Sequence, residues 1–199
     1  MKANLVPSVV SILVATSFLI GASAKGQGLS AEEQQFVKKA AAGGLAEVKL
    51  SELAGDRASD AKVKAFAAQM VTDHTQANNE LKPIADANKI PVPTKLQAES
   101  EVAYKHLEKL SGAKFDAAYV KVMVTDHDKT VSAFEDASSK VKNPDLKAFI
   151  DTTLPVLRQH KDHVHEIAAR LPPLHRCRVT TSPDLAGKPH FDSPAALAA

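Results

Sequence analysis

The sequence predicts an all-α protein built as a four-helix bundle, and three observations carry that reading. Apolar residues recur every three to four positions through most of the chain, the period of amphipathic helices and not of strands. The block Met70-Val71-Thr72-Asp73-His74 returns as Met123-Val124-Thr125-Asp126-His127, each copy preceded by an aromatic at the same distance, Phe66 and Tyr119. Two matching long helices imply a pseudo-symmetric pair of hairpins. Finally, aromatics make up only 5% of the residues and Trp is absent, which suits a thin, Ala-rich bundle better than a β-sandwich.

The first residues read as a leader. Lys2 supplies a short basic start, Leu5 to Ile20 an apolar run, and Ala22-Ser23-Ala24 a small-residue cleavage signature, so residues 1–24 are expected to be a secretory signal peptide. The run contains Pro7, Ser8, Ser11, Thr16 and Ser17 and is short for a spanning helix. No Cys follows the cleavage site, so a lipoprotein anchor is not expected, and no second spanning segment occurs.

The bundle is expected over residues 25–171. Ser30 reads as an N-cap with Glu33 closing a capping box, and the first helix runs to about Ala54, ended by Gly55. Phe36, Val37, Ala40, Ala41, Val48 and Ala54 share its apolar face, with Lys38, Lys49 and Glu52 opposite. Gly43-Gly44 inside this helix costs stability relative to Ala, which close approach by another helix would offset.

Ser59 or Asp60 caps the second helix, which runs toward Asn88 with Val63, Phe66, Ala67, Met70, Val71, Ala77, Leu81 and Ile84 on its stripe. Pro83 predicts a kink or an early end there. Ile90-Pro91-Val92-Pro93 is a break, followed by a shorter helix over about 94–110 that Ser111-Gly112 stops. The fourth segment, about 113–141, aligns Phe115, Tyr119, Met123, Thr130, Val131 and Phe134. After the Asn143-Pro144-Asp145 turn, the last helix runs to about Leu171 with Leu146, Phe149, Ile150, Leu157, Val164 and Ile167 inward and a bend expected at Pro155. His163 and His165 read as surface residues. The short helix between two long hairpins serves as the long crossover that ferritin-like bundles require.

Residues 172–199 mix Pro, Ser, Thr, Gly and Ala without an apolar period and read as a disordered tail. Cys177 is the only cysteine, so no intrachain disulfide forms despite the oxidising destination. His175 and His190 share that tail. The formal charge, +2 for the whole chain and near zero once Lys2 leaves with the leader, is spread over interleaved acids and bases. Nothing in it resembles a nucleic-acid footprint.

Four ionisable residues stand where Leu or Val belongs: Glu47, His74, His127 and His160, one on the apolar stripe of each long helix. Buried, each needs a hydrogen-bond partner or a metal. The three histidines fall near the middle of their helices. Glu47 lies about ten residues before its turn and His74 about seventeen after it, an offset of roughly 10 Å along the axis. Asp73 and Asp126 point about 100° away from their neighbouring histidines and read as solvated or helix-pairing charges.

The stretches Gly43 to Glu47, Lys64 to Met70 with Asp73-His74, Tyr119 to Met123 with Asp126-His127, and Thr153-Leu154-Pro155 through His160 resemble a bacterial family of exported, ferritin-like proteins. That family is catalogued as a domain of unknown function, number four-one-four-two, and often labelled as predicted outer-membrane proteins. The resemblance spans Phe36 to Leu171. It implies the fold and export, and no established activity; the expected location is the periplasm, with association to the outer membrane left open.

Metal-binding ferritin-like proteins place a Glu three residues before each of two ligand histidines. Here those positions hold Val71, Val124 and Leu157, so a di-iron centre is not expected. Three imidazoles and a carboxylate suit a single Zn or Cu ion, and Met70 and Met123 add a softer set for Cu(I). No nucleophile triad or phosphate loop is present, so the chain reads as a binding protein and not an enzyme. The alternative is a structural or interaction protein of the cell envelope, without metal, whose histidines form a core polar network.

Overall fold

The computed structural model describes residues 28–171. The predicted leader, the predicted tail and Cys177 lie outside the described residues. Five helices follow one another: α1 (Ala31–Arg57), α2 (Ala61–Ala87), α3 (Ala98–Glu108), α4 (Gly112–Lys140) and α5 (Pro144–Arg170). The four long ones make the bundle and α3 lies on the crossover.

Caps explain where the helices begin. The Ser30 side chain accepts from the Glu33 N–H while the Glu33 carboxylate accepts from the Ser30 N–H, the reciprocal box read from the sequence. Asp60, not Ser59, caps α2 by accepting from the N–H groups of Lys62 and Val63. Asn143 caps α5, with Pro144 in the first turn where its missing N–H costs nothing. Lys89, at φ 55°, closes α2 in the left-handed region, and the Ile90 N–H reaches back to the Ala85 carbonyl.

The breakers are weaker than their residue types suggest. Gly55 does not end α1, which continues to Arg57. Pro83 and Pro155 both lie inside their helices, which run on past them. Both prolines are exposed, so the carbonyls they leave without an intrahelical donor face water, while Leu81, Ala85, Leu154 and Leu157 hold the buried face. The crossover helix is shorter than expected, since 94–97 remains non-helical.

Two buried carboxylates fix the topology. Asp116, near the start of α4, accepts from the Ser59 N–H, the Ser59 hydroxyl and the Asp60 N–H, which ties it to the α1–α2 turn. At the opposite end Glu33 accepts from the Lys142 and Asn143 N–H groups of the α4–α5 turn. Hence α4 starts at the end where α1 finishes, and the 88–111 connection climbs the full height of the bundle. Each long helix runs antiparallel to both neighbours: α1 packs on α2 and α4, and α5 on α4 and α2. This is the one-crossover connectivity of ferritin-like folds.

Candidate metal centre

The core is not one apolar column. One cluster contains Leu50, Val63, Phe66, Met70, Phe115, Tyr119, Met123 and Val164; a second contains Val37, Leu81, Val131, Phe134, Phe149, Ile150 and Leu157. Along every long helix a single ionisable residue marks the passage between them: Glu47 on α1, His74 on α2, His127 on α4 and His160 on α5. All four are buried. A polar layer therefore crosses the middle of the bundle.

The three histidines meet. Their ring centroids lie 5.7 Å (His74–His127), 5.5 Å (His74–His160) and 5.6 Å (His127–His160) apart. One ring nitrogen from each lies within 4.8 Å of those of the other two, and this is the metal-capable cluster found among the described residues. Phe66 sits edge-on to both His127 and His160 and walls the cluster from the first apolar group.

Partners fix the tautomers of two rings. The His127 Nδ1 lies 3.0 Å from the Met123 carbonyl, an acceptor only, so Nδ1 carries the proton and Nε2 a lone pair. The His160 Nε2 lies 2.8 Å from the Asp73 carboxylate, so Nε2 donates and Nδ1 keeps the lone pair. Those two lone-pair atoms, together with His74 Nε2, are buried without a hydrogen-bond partner. Imidazoles oriented by a carboxylate or a carbonyl on one side, with a free nitrogen on the other, are how metal-ligating histidines are held.

Burial also keeps the rings neutral. Desolvation, with the neighbouring imidazoles adding to it, pushes His74 down to about 3. Desolvation pushes His127 down to about 4 against the opposing effect of the Met123 carbonyl. His160 is lowered by desolvation too, although Asp73 pulls it upward. Neutral imidazole is the form that binds a metal.

Glu47 stands apart from the trio. Its Oε1 is 3.9 Å from His127 Nδ1, beyond hydrogen-bond range and on the ring edge that faces the Met123 carbonyl. Its Oε2 is buried and unpartnered. Desolvation, and next the charge of Asp126, raises its carboxyl to about 8, so at neutral pH this is a protonated acid beside a neutral ring and no ion pair. Residues 58–60 form the turn and add no helical rise, which explains why Glu47 comes near at all. Glu47 lies ten residues before the end of α1 and His74 thirteen after the start of α2, an offset of about 5 Å and not 10 Å.

Asp73 takes the helix-pairing role, one of the two the sequence left open. It does point away from His74, as its helical angle requires, but it points at His160 on the neighbouring helix. Its repeat counterpart Asp126 makes no such bond: it is half-buried, with its carboxyl raised by desolvation and partly relieved by Lys129. Met70 and Met123 are wholly buried one turn from their histidines, within the first apolar cluster. His163 and His165 are exposed, as expected; His165 bonds Asp128 at 3.0 Å.

The glycine pair divides its labour. A Cβ on Gly44 would collide with the Asn78 side chain of α2, so the close approach here is made by a side chain. A Cβ on Gly43 would meet nothing within 4 Å. It faces a cavity of about 530 Å³ between α1 and α4, bordered by Glu99, Ser100 and Ala103 of α3, which Glu47, His74 and His127 also line.

The family described as a domain of unknown function, DUF4142, matches residues 20–167. No curated protein matches the chain. Among solved structures, a DUF305 fragment from Deinococcus radiodurans superposes with a TM-score of 0.65 at 14% identity, covering 73% of this chain and 100% of that one. A DUF305 protein from Streptomyces coelicolor, described as a candidate secreted protein, superposes with a TM-score of 0.58 at 14% identity, covering 67% and 88%. At such identities the likeness is one of fold.

Proposed function

We propose that this chain, which belongs to the DUF4142 family, is an exported binding protein that holds one Zn or Cu ion at His74, His127 and His160. One observation supports this most: three buried imidazole nitrogens, each without a hydrogen-bond partner, on rings that share one small space. Leaving three such atoms unsatisfied costs on the order of 1–3 kcal/mol apiece, and a metal removes that cost at once. Ligand nitrogens about 3.3 Å apart surround a tetrahedral ion, so nitrogens within 4.8 Å of one another draw together by at most about 1.5 Å on loading. Three nitrogen donors suit Zn or Cu, while the absence of paired carboxylates speaks against di-iron. For Cu(I), Met70 and Met123 are the nearby soft donors.

Export to the periplasm rests on the leader over residues 1–24, and no helix among the described residues is long and apolar enough to cross a membrane. A binding role is the reading we favour, since no nucleophile arrangement accompanies the histidines among the described residues.

The second reading, a metal-free polar network in an envelope structural protein, draws on the His127–Met123 and His160–Asp73 bonds. Those bonds occupy only one nitrogen of each ring. The test is titration of metal-stripped protein with Zn(II), Cu(II) and Cu(I), read by bound metal and by thermal midpoint. A bound equivalent at a hundredfold excess over Kd adds about 2.7 kcal/mol, a shift of roughly 5–10 °C at this size. His74→Ala and His127→Ala are expected to abolish both signals. Wild-type protein that neither retains nor responds to any of these ions is a structural protein.

A further inference from the structure

The histidine trio borders open space, although its unpartnered nitrogens are themselves buried. Structural metal sites are closed by four protein ligands, whereas sites that exchange or bind an external group keep an open position. Here three rings converge, and Glu47 stands at the Nδ1 edge of His127, away from that ring's unpartnered Nε2. Two of the rings, His74 and His127, form part of the wall of the α1–α4 cavity, whose volume of about 530 Å³ is that of a small-molecule site. On the other side of the cluster, between α2 and α5, the space by His74 and His160 is only about 130 Å³. The roomy approach is therefore the one past Gly43 and Glu47.

We propose that the α1–α4 cavity is the binding site for a mostly apolar molecule that carries one carboxylate, which takes the open position on the ion held by His74, His127 and His160. This rests on the metal reading above. A divalent ion held by three neutral imidazoles keeps its full charge in a buried layer, and an anionic donor compensates it. The body of such a molecule has somewhere to go: Phe36, Leu81, Phe134, Phe149 and Leu157 line the same cavity beyond the polar layer. Glu47, whose Oε2 is buried and unpartnered, lines the same cavity. Gly43 keeps the passage clear. It shares a helix face with Glu47 at i, i+4, and a side chain there meets empty space.

Co(II)-loaded full-length protein tests this through its visible d–d spectrum, with acetate and octanoate as probes. Octanoate is expected to shift the spectrum and to bind at least tenfold more tightly than acetate, because only its chain reaches the apolar end. Gly43→Leu is expected to weaken octanoate at least tenfold while leaving Co(II) affinity unchanged. Gly43→Ala, which leaves the passage open, is expected to keep both. Co(II) bound with a spectrum indifferent to octanoate, or octanoate binding equal to acetate and untouched by Gly43→Leu, overturns the cavity proposal and leaves the metal reading standing. Failure to bind Co(II), Zn(II) or Cu at all overturns both.

Discussion

Asp73 carries the sharpest expectation at the level of single residues. It sits 2.8 Å from His160 Nε2 and sets which nitrogen of that ring is free. Asp73→Asn keeps the shape but weakens the orientation and basicity of the ligand, so metal affinity is expected to fall roughly 10- to 100-fold with little change in the metal-free thermal midpoint. Isothermal titration with Zn(II) measures it. An unchanged affinity would place Asp73 outside the site. The titrating groups of the polar layer make a second prediction, on the metal-free protein. His74 and His127 have folded values of about 3 and about 4 against an ordinary 6.5. Below about pH 6.5 the unfolded chain therefore takes up protons that the folded one refuses, and stability falls as pH drops toward those values. Glu47 has the opposite sign, with a folded value of about 8 against 4.5. It keeps its proton while the unfolded chain loses one, so it lowers stability as pH rises from 4.5 to 8. Between 4.5 and 6.5 the histidines outweigh it; above 6.5 it acts alone within the layer. Thermal midpoints of stripped protein are expected to peak near pH 6.5. A midpoint still climbing from pH 6.5 to 8 would mean that Glu47 is ionised in the folded state.

Helix α1 shows how far an element can be read from residues alone. Its start was legible because a capping box is local: Ser30 and Glu33 satisfy each other within one turn. Beyond its own turn, Glu33 also accepts two N–H groups from the α4–α5 turn, 109 and 110 positions away, which no local pattern announces. Although burial opposes its ionisation, the backbone donors of Asn143, Ser30 and Lys142 together hold its carboxyl below the usual range. The helix end was misread at Gly55, since a glycine stops a helix only where the chain must turn. The buried Leu53 and Ala54 keep it packed on. The glycine pair offers the element's prediction. Gly43→Ala removes a helix-interior glycine in open space and is expected to stabilise by roughly 0.8–1 kcal/mol. Gly44→Ala gains the same propensity but must displace Asn78, so its thermal midpoint is expected to fall below that of Gly43→Ala. Equal midpoints for the two would show that Asn78 moves aside freely.

For the whole molecule, the polar layer is a cost to the fold in the absence of a ligand. It splits the core into two apolar clusters and leaves four buried polar atoms without partners. Replacing buried polar groups by apolar ones of similar size is often neutral or stabilising. The variant His74→Leu/His127→Leu/His160→Leu is therefore expected to match or exceed the thermal midpoint of metal-free wild type, while losing all response to metal. A large destabilisation would instead support the structural-network reading.

The sequence by itself determined the helices, their caps and the positions of the four intruders on the apolar stripes. These depend on contacts within a turn or two and on a 3.6-residue period. It also carried the crossover, because the connection from residue 88 to 111 is long and broken by prolines. The tertiary structure brought together the three that the sequence sets near mid-helix. His74, His127 and His160 come together because the Asp116 and Glu33 clamps set the heights of the two hairpins, while Glu47 remains at the far edge of His127. Only it paired Asp73 with His160, because the partner of a side chain that leaves its own helix is chosen by the neighbouring helix. The cavity past Gly43 likewise exists only once α1 and α4 are placed side by side, since empty space is a property of packing and of no residue.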